Sequence, residues 1–240
     1  MAKLSKLKFE DLVLFEDDDY VLINKPPFIS TLEDRNTPEN LLALAKESIP
    51  DAQVCHRLDK DTSGVLAIAK NPEAYRHLSM QFEHRQVSKM YHAVVDGLHQ
   101  FQNQCVDASI LKQNDGTVRI SREGKDAQTW FTSQESFKMH TLVECRPVTG
   151  RMHQIRIHLS MLKAPITGDE TYGGKIFFLS SIKRGFKLEK NTEEQPLIKR
   201  MALHAFSLEF LNLKGEIVKI KAPYPKDFQA LLKQLGENKR

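Results

Sequence analysis

With 240 residues, 40% hydrophobic and 28% charged, the chain has enough apolar material for one large domain or two small ones, which excludes a disordered or low-complexity protein. It contains no run of about 18 apolar residues, so no membrane-spanning helix is expected, and its basic N-terminus lacks the apolar stretch of a secretory signal. The net charge of +4 is only weakly basic; clusters such as His84-Arg85, Lys183-Arg184 with Lys187 and Lys190, and Lys199-Arg200 say more about a polyanionic partner than the total does.

Residues Met1 to Glu10 read as a lead-in. Leu12 to Phe15 and Tyr20 to Ile23 are strand-like and flank the acidic turn Glu16-Asp17-Asp18-Asp19, which predicts a hairpin ended by Pro26-Pro27. Thr37-Pro38-Glu39 and Asn71-Pro72-Glu73 have the capping residue, proline and acid of a helix start. Leu41, Leu42, Ala45 and Ile49 supply the apolar face of the first helix; Ala74, Leu78 and Phe82 supply that of the second. Tyr91 to Val95 is a strand, and short strands broken by polar turns run from Gln104 to Phe137. Thr129, Phe131 and Ser133 alternate there with Trp130 and Thr132, so either face could be buried.

Thr141 to Cys145 is another strand. Gly150-Arg151 opens the longest helical signal, with Met152, Ile155, Leu159 and Leu162 on one face. Residues 176–200 are charged and weakly periodic, and read as a long loop or insertion. Leu203 to Phe210 and Ile217 to Ile220 pair around Gly215, and a helix from Phe228 to Leu235 ends the chain. Neighbouring hairpins with helices between them predict an α+β fold: a mainly antiparallel, mixed sheet with helices packed on it, in one catalytic domain over residues 11–240. Cys55, Cys105 and Cys145 are odd in number and widely spaced, which fits reduced thiols in a cytoplasmic protein rather than a disulfide framework or a zinc site.

The stretch from His56 to Lys70 concentrates the chemistry. His56-Arg57-Leu58-Asp59-Lys60-Asp61-Thr62-Ser63-Gly64 places two cations, two acids, two hydroxyls and a glycine before an apolar strand. Asp59-x-Asp61-x-Ser63-Gly64 opens like a calcium loop, but position twelve is Lys70 instead of a bidentate glutamate. An aspartate phosphatase loop would follow its apolar strand, and here the strand comes after the acids. His153 and His158 are five apart, not four, so they do not form the usual helical metal pair, and no metal is expected. A carboxylate nucleophile or general base beside a cation remains. An ionised, partly dried aspartate needs a charge partner, and Arg156, on the edge of the apolar face of the third helix, is the candidate.

These residues resemble the RluA-type pseudouridine synthases, which isomerise uridine to pseudouridine in RNA. His56-Arg57-Leu58-Asp59 with Thr62-Ser63-Gly64 is similar to the family's signature loop, Lys89-Met90-Tyr91 to its Lys-x-Tyr element, and Thr149 to His158 to its third motif. Asn24-Lys25-Pro26, Gly168-Asp169 with Tyr172-Gly173, and Leu203-His204-Ala205 fit lesser patterns. The resemblance implies that Asp59 is the nucleophile, that Tyr91 stacks on the target base and takes part in proton removal at C5, and that Arg156 pairs with Asp59. It also implies that Arg57 enters the RNA where the uridine has been extruded, and that His56, Thr62, Arg151 and His153 bind substrate. It calls for no cofactor and names RNA, ribosomal or transfer, as the partner; on oligomeric state the sequence is silent, and a monomer is the default expectation. It leaves no room for a separate N-terminal RNA-binding domain. A non-catalytic RNA-binding or folding factor on the same scaffold is the alternative.

Overall fold

The computed structural model describes residues 7–33, 39–188 and 192–239. In chain order the elements are β1 (Val13–Glu16), β2 (Tyr20–Lys25), α1 (Leu41–Ser48), β3 (Gln53–Val54), β4 (Ser63–Ala69), α2 (Pro72–Glu83), β5 (Ser88–Asp96), β6 (Gln104–Asp107), β7 (Ile110–Lys112), β8 (Val118–Ile120), β9 (Gln128–Ser136), β10 (His140–Pro147), α3 (Gln154–Met161), β11 (Leu203–Leu211), β12 (Ile217–Lys221) and α4 (Lys226–Glu237). The chain divides into two compact units: Met1–Tyr91 with His204–Tyr224, and His92–Leu203 with Pro225–Arg240.

In the first unit, β1 and β2 form the expected hairpin. Asp17 closes its turn by accepting from the Asp19 and Tyr20 N–H groups. β2 lies antiparallel to β4, β4 lies parallel to β11, and β11 pairs with β12. The central residues of β2 and β4, Tyr20–Ile23 and Val65–Ala69, are apolar and fully buried because both faces of these strands are covered. Val21, Ile23, Leu66 and Ile68 pack with Leu41, Leu44 and Ala45 of α1 on one face. Tyr20, Leu22, Val65 and Ala67 pack with Ala74 and Leu78 of α2 on the other.

Asn71 caps α2 as expected, its side chain accepting from the Ala74 N–H. The predicted start of α1 needs correcting. Thr37 and Pro38 lie outside the described residues, and the cap is Asn40, which accepts from the Ala43 N–H.

In the second unit, β10 pairs antiparallel with β9, and β9 with β6. Thr129 and Phe131 face Pro147 and Cys145 and are buried with them, so the odd-numbered face of β9 is the inner one. β7 and β8 form a separate hairpin. The third helix is shorter than its periodicity suggests. His153 adopts a left-handed backbone (φ 52°), which a right-handed helix cannot include, and Gln154 accepts from the Arg151 N–H to close a turn before the helix begins. Met152 therefore lies outside α3, which has eight residues against twelve each in α2 and α4. Between Lys175 and β11 the described residues hold one short 3₁₀ turn, at Leu179–Ser181. α4 is anchored by a two-pronged ion pair between Arg200 and Asp227 (2.7 and 3.1 Å). The antiparallel pairs, the parallel β4–β11 pair and the packed helices make the α+β mixed-sheet class expected from the sequence.

The entry to β4 is set by one close approach. Gly64 has φ +117°, and a Cβ there would come 2.1 Å from the Ala205 carbonyl oxygen on the parallel neighbour. Gly215 also has positive φ, but no atom lies within 4 Å of its missing Cβ. Gly64→Ala is expected to cost about 3 kcal/mol or more, from strain plus displacement of β11, and Gly215→Ala about 1 kcal/mol. Urea unfolding of both variants measures the difference; equal costs would mean that β11 yields freely at Ala205.

Candidate active site

The polar loop before β4 is fixed at several points within the first unit. Its turn closes with the Thr62 N–H donating to the Asp59 carbonyl at 3.0 Å. Just ahead of Asp59, Thr31 clamps Leu58: its hydroxyl donates to the Leu58 carbonyl (3.0 Å) and accepts from the Leu58 N–H (3.2 Å), while the Leu58 side chain is buried in the core. On the far side, Lys25 at the end of β2 is fully buried, and its Nζ donates to the carbonyls of Lys60 (3.0 Å), Thr62 (2.8 Å) and Pro26 (3.0 Å). Three acceptors use all three hydrogens of an ammonium, which offsets the cost of burying it. Ser63 then donates to His204 Nδ1 (2.9 Å), because His204 Nε2 donates to the Ala222 carbonyl.

Asp59 itself is half-buried between these fixed points. Tyr91, at the end of the unit's part of β5, packs against the same core cluster as Leu58. Burial first, and the Asp59 carboxylate second, push its hydroxyl well above the usual tyrosine range, so it stays protonated at neutral pH. Lys89, two residues earlier, is pulled down to about 8 by burial and by Arg85.

The remaining basic groups of the loop differ sharply. His56 is held inside the fold: its Nε2 accepts from the Ala67 N–H (3.1 Å), and its ring lies 4.7 Å from that of Phe82. Arg57 is exposed and makes no hydrogen bond or ion pair with any described residue. Thr62 is buried at the turn.

In the second unit, Arg156 is buried on α3 and grips Asp169 through two hydrogen bonds, Nε to Oδ2 (2.7 Å) and Nη2 to Oδ1 (2.8 Å). Its guanidinium lies over the Tyr172 ring, 4.8 Å from the centroid. His153 Nδ1 is 2.8 Å from the Tyr172 hydroxyl, which also accepts from the Val118 N–H. Arg151 donates from Nε to the Asp126 carbonyl (2.9 Å).

The loop that carries Asp169 is tied at both ends by one carboxylate. Asp96 accepts from the Thr167 hydroxyl (2.7 Å) and from the Lys175 N–H (2.8 Å), and the Gly168 N–H donates to the Lys175 carbonyl (2.8 Å).

Sequence reasoning thus points to Asp59, Tyr91, Arg57 and Arg156 but passes over the residues that hold them. Lys25, His204, Asp169 and Tyr172 sit in short patterns noticed in the sequence without a role. Thr31 and Asp96 gave no signal, since a single threonine or aspartate between elements has no distinguishing pattern. No helix of the described residues is long and apolar enough to cross a membrane, and no group of three or more His, Cys, Asp or Glu among them could hold a metal ion.

Residues 19–161 match the model of a family described as RNA pseudouridylate synthase. A protein of Xanthomonas campestris pv. campestris, ribosomal large subunit pseudouridine synthase D, is 37% identical over 241 residues, covering 94% of this chain and 70% of that protein. Ribosomal large subunit pseudouridine synthase C of Pasteurella multocida is 35% identical over 247 residues, covering 99% of this chain and 72% of that protein. Among solved structures, human RNA pseudouridylate synthase domain containing 4 superposes with a TM-score of 0.71 at 26% identity, covering 95% of this chain and 94% of that one.

The His56 ring makes the loop sensitive to acid. Burial, and next to it the charge of Lys89, pull its pKa down to about 3 from the ordinary 6.5. Between those values the unfolded chain binds a proton on this residue that the folded chain does not, so stability falls as pH drops through that window, by up to about 1.4 kcal/mol per pH unit. His56→Gln keeps an acceptor for the Ala67 N–H and cannot titrate. It is expected to show a shallower loss of stability than the wild type between pH 6.5 and about 4, measured by urea unfolding at each pH; identical slopes would mean that His56 is protonated in the folded protein as readily as in the unfolded one.

Proposed function

The chain belongs to the RNA pseudouridylate synthase family, and from that premise we propose that it isomerises uridine to pseudouridine in structured RNA with Asp59 as the nucleophile. The names of its bacterial relatives favour large-subunit ribosomal RNA as the substrate. The observation that carries the reading is the pairing of a fixed acid with a free cation: Asp59 stands beside the protonated Tyr91 hydroxyl on a loop pinned from both sides, while Arg57, two residues away, is exposed and uncommitted.

The reaction needs no co-reactant. The bond from C1′ to N1 breaks, a bond from C1′ to C5 forms, the proton leaves C5 and N1 gains one, so atoms and electrons balance within the nucleoside. A uridine stacked inside a helix cannot reach a carboxylate and must first be turned out, at a cost of a few kcal/mol. The exposed Arg57 guanidinium is the group suited to fill the gap, since it is planar and binds phosphate or base edges. Tyr91 offers the extruded base a stacking face. Because its hydroxyl is held protonated, it passes the C5 proton on as a relay rather than taking it as a phenolate. Attack by Asp59 on the ribose or on the base leads to the same product. Arg156 completes the set of residues required for turnover. His56 supports the loop from within, and Thr62 shapes its turn.

RNA labelled with tritium at C5 of uridine releases the label when the isomerisation occurs, and large-subunit ribosomal RNA is the first substrate to try. Asp59→Asn is expected to lower release by about 10⁴-fold or more while leaving RNA retention within about twofold. Release near the wild-type rate would remove Asp59 as the nucleophile, and no release by the wild type from any cellular RNA would sink the isomerase reading.

A further inference from the structure

We propose that the cleft beside Asp96 and His140, together with the cationic segment that follows it, is a second RNA-contact surface that takes a nucleotide other than the target uridine. The proposal rests on RNA being the partner and not on the chemistry at Asp59. The cleft has a volume of about 480 Å³ and lies wholly within the second unit. Leu98, Met139, Ile176 and Phe177 form its apolar wall, and Lys138 and Lys175 line it as well. Leu98 is 63% exposed, Met139 54% and Ile176 44%, so large apolar side chains meet water together here.

Charge selects the occupant. The chain leaves the rim at Ser181 and at once presents Lys183, Arg184 and Lys187, all exposed. With Lys138 and Lys175 they make five exposed cations, none of which has an ion-pair partner among the described residues. Exposed lysines elsewhere do stand beside a carboxylate: Lys219 by Glu209 and Lys233 by Glu237. Glu194, which belongs to the same segment, accepts from the Ser180 N–H.

An apolar wall among unpaired cations complements a ligand that alternates flat apolar rings with negative charges, as a single-stranded nucleic acid does. His140 also lines the cleft; its Nε2 stands 3.5 Å from Asp96 Oδ1, and its Nδ1 is closed off from solvent.

The test compares filter retention of a large-subunit ribosomal RNA transcript by the wild type with that of Lys183→Glu/Arg184→Glu, Lys138→Glu/Lys175→Glu and Met139→Ser, each checked for unchanged thermal unfolding. Each double charge reversal is expected to weaken retention by about tenfold or more and to lower the slope of log affinity against log salt by about two. Met139→Ser is expected to weaken retention by about threefold with the slope unchanged. The rate of tritium release at saturating RNA stays as in the wild type for Lys183→Glu/Arg184→Glu and for Met139→Ser. Retention and slope equal to the wild type in both charge-reversed proteins would overturn the proposal, whatever turnover shows. So would unchanged RNA retention combined with lost association with a ribosomal protein particle, since the face would then be a protein dock. A wild type that retains RNA but releases no tritium counts against the isomerase reading alone.

Discussion

A fully buried ammonium shapes the reactive loop of this protein. Lys25 projects from the end of β2, a strand covered on both faces, and reaches the carbonyls of Lys60 and Thr62. An isolated charge in such a place would be strongly unfavourable, and the carbonyl dipoles gathered around it are what make it tolerable. The converse also holds: those carbonyls would be unsatisfied without the lysine. The loop and the strand therefore specify each other, and the remaining constraints close around them. Thr31 holds Leu58 from the front, Ser63 is held by His204, and Gly64 lets β4 approach Ala205. Between these points the backbone at Asp59 has little freedom, and its carboxylate is presented in one place.

The second unit solves a related problem with a different cation. Arg156 is buried on a helix and meets a carboxylate through two parallel hydrogen bonds, a geometry that suits a planar guanidinium and not an ammonium. Its partner Asp169 sits on a loop whose ends are joined by Asp96, and the ring of Tyr172 from the same loop lies against the guanidinium. The position of Arg156 is thus set by a short chain of contacts that starts at the end of β5. In both units a charged side chain is oriented by hydrogen bonds to neighbouring groups, and substitutions at those groups would shift its position.

How much of this could be read from sequence depended on whether a residue acts through its neighbours in the chain or across the fold. The strands, the mixed sheet and the α2 cap follow from local pattern. The reactive loop stood out because polar and glycine residues of unusual density precede an apolar strand. The start of α3 misled because Met152, Ile155 and Leu159 keep helical spacing although His153 breaks the helix, and no periodicity reports a single left-handed residue. The role of Lys25 was invisible because its acceptors are backbone carbonyls far along the chain, which any residue type supplies. Asp96 was passed over for the same reason: it closes a loop of the fold, and only the fold reveals that Thr167 and Lys175 end beside it. For His56 the sequence offered only the substrate role that the resemblance implies, and the fold adds what no local pattern reports, that its acceptor nitrogen is committed to the Ala67 amide.

The distribution of committed and free groups matches what an isomerisation asks of a protein. No atom is gained or lost, so the site has nothing to supply from solution or from a carrier. In the proposed reaction its task is to hold the Asp59 carboxylate still while a base leaves the ribose, turns and returns through another carbon. Motion must then belong to the RNA and to whatever replaces the base in its stack, and rigidity to everything around the carboxylate. The loop is built in that way. Lys25 and the Nε2 of His56 are engaged within the fold, while Arg57, adjacent in sequence to His56, is exposed, and in the proposed reaction it is the cation that meets the RNA.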